Sequence, residues 1–468
     1  MPARHKDTWL FVLLCVLIFW APIPLGSNRG WSLSLLQAAY ALIALMLCLM
    51  LAKGRISAAP ALRKSSFAIA LFFAIPVFTL LQLLPLPPQM RSISQDVTAS
   101  TLSLQTGIWL ALVFVICIQL VNSIERLKAL AAVILASGVF EACYGVLTIL
   151  GGKDFDILGI DSPHWKSGSA TGTFMNRNHL AGHLEMCLAI GTGLLIANLD
   201  HDSQSTSWRE RIRDFLRTLL GPKTRQRLLL ITMVIALVMT HSRMGNTAFF
   251  ASMGVSSLIG FLIFKRRSRA MVILFISMIA IDVLIISSWF GLERLAERIE
   301  QTAESREERV VVNADAWIWA QEHWLAGSGA GSFTTAFPSY RSQDIQGFYD
   351  YAHNDYLQIL GEYGALGAAL FAAIALYTLW SSIKAQRTRH HPVLRGMAFG
   401  SMMGIISLLI HSNADFNLHI PANAGLFTIL CAIAYISCHM PSTTIKARRR
   451  HKTSDDSADL AETTAIQQ

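Results

Sequence analysis

Apolar residues in this chain come in long unbroken runs separated by short polar stretches. Twelve runs can be marked, near 8–25, 32–52, 66–86, 102–121, 127–150, 179–199, 228–242, 247–264, 270–290, 354–380, 394–411 and 421–439. Most approach the about 20 apolar residues a helix needs to cross the hydrocarbon of a bilayer. The every-second-residue alternation of a membrane β-barrel is missing. The pattern therefore predicts an all-α polytopic membrane protein with twelve transmembrane helices. The seventh run is short and leads into His241-Ser242-Arg243. The first follows Arg4 and Lys6 and looks like a signal peptide, but eleven further runs favour an uncleaved first helix.

Composition agrees. Of 468 residues, 53% are hydrophobic and 15% charged, with a mean hydropathy of +0.45. Soluble domains carry about 25% charged residues, so a soluble enzyme and a disordered chain are both excluded. The net charge of +9 does not point to nucleic acid, because the basic residues stand at the ends of apolar runs. With the N-terminus inside and the spans alternating, 28 of the 39 Lys and Arg fall inside and 11 outside. By the positive-inside rule both termini are cytoplasmic. The seven cysteines lie in apolar runs without zinc spacing and read as small buried hydrophobes.

Two connections are long. Residues 200–227, inside, place Trp208, Ile212, Phe215 and Leu216 at helical spacing among arginines, which suits a helix lying on anionic membrane lipids. Residues 291–353, outside, form the largest extramembrane piece. They open on a charged helical stretch from Glu293 to Arg309 and run through a second helix to a Gly-rich turn at Gly327–Gly331. An ordered helical periplasmic loop between spans nine and ten is expected. The organisation reads as five N-terminal transmembrane helices over 1–164, a membrane domain over 165–440 that includes this loop, and a disordered cytoplasmic tail over 441–468. No internal repeat is visible.

Polar motifs gather on the outer side. They are Thr171–His179 before span six, His241–Gly245 after span seven, Ser305–Arg309 in the loop, His353–Gln358 opening span ten, and His411–His419 between the last two spans. Charge counting alone chose the topology, yet it brings five His/Arg/Asn motifs to one face. Convergence on a shared cleft explains this better than solvated loops, which favour Lys, Glu and Ser. Arg243, Arg306 and Arg309 defy the positive-inside bias, and guanidinium forks match phosphate oxygens. Histidine can move a proton near neutral pH. No metal-ligand spacing or P-loop accompanies them. Arginines with a histidine suit departure of a pyrophosphate, and outside the membrane the usual activated donors are lipid-linked pyrophosphates.

The run His353-Asn354-Asp355-Tyr356-Leu357-Gln358 through Gly367 resembles the signature of the bacterial O-antigen ligase and Wzy-type polymerase superfamily. Gly172–His179, Ser242-Arg243, Arg309 with Glu322-His323 and Gly327–Phe333, and His411–Asn423 resemble further motifs of that family in the same order. Trp324 stands where the family often has proline. The similarity covers about residues 165–440. It implies a GT-C-like membrane glycosyltransferase in the bacterial inner membrane, acting at the periplasmic face. Such an enzyme moves a glycan from an undecaprenyl-pyrophosphate donor to a glycan or lipid A-core acceptor, with no metal and no cofactor. Carried over by position, Arg243 and Arg309 would grip the pyrophosphate and His353 would activate the acceptor or assist the leaving group. Arg306, Asn178, His179, Asn354, His411 and Asp415 would complete the substrate site.

Plainer roles stand beside these. His353, Asn178 and His179 could cap their helices, Arg243 could anchor at the interface, and Arg306 could pair with Glu307 or Glu308. Asp415 could pair with His411 four residues earlier. Gly361, Gly364 and Gly367 read as helix packing, and Trp165, Trp289 and Trp324 as interface residues. Ligase and polymerase differ only in acceptor, and a protein O-oligosaccharyltransferase is a third variant. A flippase or exporter would want ionisable residues near the midplane. Glu141, Glu185, Asp282 and Glu362 are the few candidates there, while a scaffold would leave the outward arginines unexplained.

Overall fold

The computed structural model describes residues 6–85, 92–151, 156, 158–160, 168–199, 222–263, 309–343, 345 and 347–441. Among these the regular structure is helical: α1 (Thr8–Trp20), α2 (Gly30–Ala52), α3 (Ser66–Leu83), α4 (Val97–Leu120), α5 (Ile124–Gly151) and α6 (Arg177–Leu199). Then come α7 (Pro222–Met239), α8 (Arg243–Ile263), the loop helix α9 (309–322), α10 (Asp355–Thr388), α11 (Pro392–His411) and α12 (Pro421–His439). Nine of them, α2–α6, α8 and α10–α12, are long and apolar enough to cross a membrane. The protein is a polytopic helical membrane protein. The expected span at 270–290, the helix around Trp208, the stretch from Glu293, Arg306, Asp282, Trp165, Trp289 and the C-terminal tail lie outside the described residues.

The first helix is shorter than its apolar run, ending at Trp20 rather than near 25. Pro22 and Pro24 stop it, since neither ring supplies the N–H a helix needs. The chain then turns through Leu25–Ser27. At its other end α1 is pinned to α5 by a buried, two-pronged ion pair, with Arg126 Nη2 and Nη1 at 2.8 and 3.1 Å from the two Asp7 carboxylate oxygens.

Burial sorts the helices into a centre and a rim. The apolar windows of α6 and α12 are each 94% buried, that of α11 78%, and that of α2 only 22%. Apolar lipid supplies no drive to bring helices together, so close approach rests on small residues. Here α6 meets α11 through Gly193, Gly396 and Gly400, where an added Cβ would strike the facing backbone.

The tenth helix is interrupted. Gly364 takes φ 64° and ψ −174°, so Asp355–Tyr363 and Ala365–Thr388 are separate helical segments. This corrects the reading of its glycines as packing alone. Gly361 does make room for the Trp319 ring, but Gly364 is the break. The backbone groups freed there are satisfied by the Gly-rich turn after α9. Ser328 and Gly329 N–H donate to the Gly361 and Glu362 carbonyls, at 2.9 and 3.1 Å, and Ala365 and Leu366 N–H donate to Trp324 and Leu325, at 2.6 and 3.2 Å. Gln82, at the end of α3, donates to the Ala326 and Glu362 carbonyls and accepts from Ala330 N–H. Non-helical backbone at such a position is tolerated because protein, not lipid, surrounds it. The loop before α10 is thus wedged into the bundle.

Candidate active site

The site forms at one end of the central helices, where α6 begins, α11 ends, α10 begins and the turn 412–420 leads into α12. Short turns made by Ser, Asn and Asp hold each piece. Asn176 accepts from Asn178 N–H at 2.9 Å, so Asn176 caps α6 rather than Asn178 or His179. Asn354 caps α10, its side-chain oxygen accepting from Tyr356 and Leu357 N–H at 3.1 and 3.2 Å. The peptide N–H of Asp355 donates to the Ser412 and Asp415 carbonyls, locking the start of α10 onto the turn.

Asp415 is the hub. It is fully buried, with Oδ1 at 3.4 Å from His353 Nδ1 and 4.0 Å from His179 Nε2, and it accepts from Phe416 N–H at 2.9 Å. Its second oxygen has no hydrogen-bond partner among the described residues. Burial opposes its ionisation, but the His353 contact and the nearby His179 and His411 outweigh it and hold the carboxyl below the ordinary range. The expected pairing of Asp415 with His411 gives way to another. His411 Nδ1 meets Glu185 Oε1 of α6 at 2.7 Å, and Ser407 donates to the other Glu185 oxygen, also at 2.7 Å. Helix geometry explains the change, because the last turn of α11 faces α6 whereas residue 415 has left the helix.

His353 is the residue before the cap and adopts φ 52°, a left-handed conformation uncommon for a non-glycine side chain. Strain of this kind persists only where surrounding contacts enforce it. The His353 ring packs edge-on against Phe416, with ring centroids 4.8 Å apart, and the His179 ring does the same at 4.7 Å. The other neighbour of Phe416 is Tyr351, stacked at 4.3 Å. His179 and His353 open onto a cavity of about 400 Å³ whose lining also includes Arg29, Asn176, Tyr349 and Tyr351.

A second carboxylate–histidine pair lies on the far side of Tyr351. Asp355 Oδ1 meets His419 Nδ1 at 2.8 Å, and Ser412 donates to Oδ2 at 2.8 Å. Burial disfavours the His419 imidazolium, but the Asp355 hydrogen bond and charge, with Glu362 behind, raise its pKa above 6.5. This pair faces a groove of about 630 Å³ between α3, α4, α10 and α12. The two cavities share Asn28, Asp350 and Tyr351 in their walls.

Behind the site, Glu141 of α5 braces the segment that carries His179. Thr173 Oγ1 lies 2.7 Å from the Pro22 carbonyl oxygen and 2.9 Å from Glu141 Oε1, while Thr173 N–H reaches Glu141 Oε2 at 2.8 Å. A hydroxyl has one proton and a carbonyl only accepts. The Thr173 hydroxyl can therefore donate to only one of these two acceptors at a time.

The predicted residues separate into groups. His353, His179 and Asp415 come together, with His411 one layer deeper. Asn354 is a helix cap, and no side-chain contact joins Asn178 to this cluster among the described residues. Arg243 opens α8 on the surface, two residues after His241, which is also left-handed at φ 51°. That corner is tied to the His179 segment, since Ser169 Oγ lies 3.2 Å from His241 Nδ1 and accepts from Arg177 at 3.1 Å. Arg309 begins the described part of α9 and is exposed. Arg29, Tyr351, Asp355, His419 and Glu141 are additions. Asp355 and His419 sit inside motifs the sequence singled out, while Arg29 carries no signal beyond its place after Pro22-Ile23-Pro24.

Residues 228–372 match the O-Antigen ligase family. That match supports the resemblance of this segment to the O-antigen ligase and Wzy-type superfamily. It holds Arg243, Arg309, His353 and the broken α10, and it ends before the turn that carries Asp415. The family is one of membrane enzymes of ligase and polymerase type, which hand over glycans. None of the curated proteins matches the chain.

Proposed function

We propose that the protein moves a glycan from undecaprenyl pyrophosphate to an acceptor hydroxyl at the periplasmic face of a bacterial inner membrane, as an O-antigen or exopolysaccharide ligase or polymerase. The observation that carries the reading is His353, held against buried Asp415 at the mouth of a cavity that also contains Arg29 and His179. A carboxylate facing Nδ1 favours the tautomer protonated there, which leaves Nε2 with the lone pair. Nε2 takes the proton of the acceptor hydroxyl as its oxygen bonds to the anomeric carbon. The bond from that carbon to the pyrophosphate oxygen breaks, and pyrophosphate leaves with the electron pair. Arg243 and Arg309 balance its charge by paired N–H donors, with Arg29 near the hydroxyl side.

An exporter is less well supported. Glu141 and Glu185, two of the expected midplane charges, are consumed by hydrogen bonds to Thr173, Ser407 and His411 inside the bundle. Deleting the gene and examining surface glycans tests the proposal. Loss of all attached chains indicates a ligase, retention of a single repeat a polymerase, and an unchanged glycan profile refutes both.

A further inference from the structure

Glu185 and His411 form a buried pair that the transfer step itself does not use. His411 Nδ1 stands 2.7 Å from Glu185 Oε1, and the Ser407 hydroxyl donates to Glu185 Oε2 at 2.7 Å. Both contacts are satisfied with Glu185 as the acceptor, which suits a carboxylate. The first turn of α8 favours the same state. A Cβ at Gly245 would stand only 3.1 Å from Glu185 Oε1, so glycine there lets the carboxylate approach the positive end of the α8 dipole. A carboxylate buried this deeply needs a cation, and His411 is the titratable group that meets it. On its other side His411 is joined to Asp415 by one tight turn, in which Ala414 N–H donates to the His411 carbonyl at 3.0 Å. Asp415 feels the charge of His411 as well as those of His353 and His179. His411 Nε2 and Asp415 Oδ2 are both buried and both lack a hydrogen-bond partner among the described residues. The two are complementary, because a protonated His411 carries an N–H at Nε2 and a carboxylate oxygen accepts. Basic and acidic groups thus alternate inward from the cavity: His353, Asp415, His411, Glu185.

We propose that Glu185 and His411 are positioning residues for the transfer, the Glu185 carboxylate keeping His411 positively charged behind Asp415 so that His353 is left neutral. The proposal rests on the transferase reading. The His411 charge shares the Asp415 carboxylate with His353. Without that share, Asp415 draws a proton onto His353, and a protonated histidine cannot take one from the acceptor hydroxyl. Glu185 and His411 touch no substrate; they act through Asp415 on the base. Gly245, part of a motif on the outer side, then has its role in the space it leaves for Glu185.

The test uses the full chain in lipid nanodiscs and reads the charge of His353 from its rate of modification by diethyl pyrocarbonate, which attacks neutral imidazole. The His353 side chain is 20% exposed, so the reagent reaches it, and the modified peptide is followed by mass spectrometry. Near neutral pH, Glu185→Gln and His411→Gln should each slow the reaction at His353 by about tenfold. Exposed His390, just after α10, is the internal reference and should not change. Ser407→Ala loses a hydrogen bond but no charge and should match wild type. His353 also faces Arg29, His179, Tyr349 and Asp350 across its cavity, and His411 feels Asp355 besides Glu185 and Asp415; all of these are the same in the three variants. Raising the pH should restore the rate, because a more basic histidine is then neutral again. In an Asp415→Asn background the effect of Glu185→Gln should vanish. Loosened packing gives neither the pH recovery nor the dependence on Asp415. If Glu185→Gln does not fold, His411→Gln removes the same positive charge. Unchanged or faster modification of His353 overturns the proposal, as does slowing that persists at high pH or in the Asp415→Asn background. Turnover of a lipid-pyrophosphate glycan separates the two readings. In Glu185→Gln, kcat should fall about tenfold near neutral pH with both KM values unchanged. Slower modification in a protein without turnover leaves the charge layer standing and removes the transferase. Wild-type turnover in Glu185→Gln with unchanged modification removes the charge layer and leaves the transferase.

Discussion

His353 and Asp415 lie 62 positions apart in the chain and meet at 3.4 Å, the histidine strained at φ 52° and the aspartate buried without a partner for its second oxygen. If the carboxylate sets the histidine's tautomer, both members matter to transfer. His353→Ala and Asp415→Asn should each lower turnover by about 100- to 10,000-fold, the usual range for a positioned acid or base. Protein levels in the membrane should stay normal. Full activity in Asp415→Asn would reduce Asp415 to a structural contact.

Charge alone does not replace a guanidinium fork at a departing pyrophosphate. Arg243→Lys and Arg309→Lys should each lose about 100- to 1000-fold in donor turnover. Arg227→Lys, in the first turns of α7 at the opposite end of that helix from His241, should behave as wild type. EDTA should have no effect. Normal rates in both site variants would make these arginines interface anchors, and a large EDTA loss would point to a metal.

Glu141 offers a cleaner contrast, because one of its oxygens accepts from Thr173 N–H and the other lies 2.9 Å from Thr173 Oγ1. A glutamine amide can accept from that N–H and donate to Oγ1 while the hydroxyl donates to the Pro22 carbonyl, so Glu141→Gln should keep stability and activity close to wild type. Glu141→Leu leaves Thr173 N–H buried and unpaired, which costs about 1–3 kcal/mol. Its melting temperature in detergent should fall. A glutamine variant as damaged as the leucine one would show that the charge of Glu141 is what counts.

The Asp355–His419 pair should make stability depend on pH. His419 is raised above 6.5, so its contribution is complete below the unfolded value and fades as pH rises through the folded one. The melting-temperature gap between wild type and His419→Gln should therefore narrow as pH is raised above neutrality. Asp415 has the opposite sign: being lowered, it contributes above the ordinary Asp value and loses that only in acid. A gap that widens toward alkaline pH would contradict the assignment for His419.

At Gly364 a side chain meets two obstacles, a positive φ and the backbone of Leu325. Each kind of misfit costs about 1–3 kcal/mol, so Gly364→Ala should destabilise the protein markedly. Gly254→Ala, with open space around it, is the control and should not. Equal melting temperatures for the two would mean that the break in α10 is not enforced.

The membrane class and the meeting of the 171–179, 353–358 and 411–419 motifs at one end were legible from the chain. Hydrophobic run length is a local property, and once helices alternate in direction every second connection shares a face. The same reasoning located His353, His179 and Asp415 near one another without any contact being known. Which carboxylate serves which histidine was not legible. Sequence spacing made His411 and Asp415 natural partners, but the helix ends between them, so one turns toward Glu185 and the other toward His353. The break at Gly364 depends on the Trp324–Gly331 turn that receives its backbone groups from some forty residues away. Arg29 joins the site only because the prolines end α1 and the turn after it packs against Phe174 and Ile420. Pattern along a chain reports what a residue can bury; tertiary structure alone decides what it meets, because pairing is set by distances in space that helix ends and turns create.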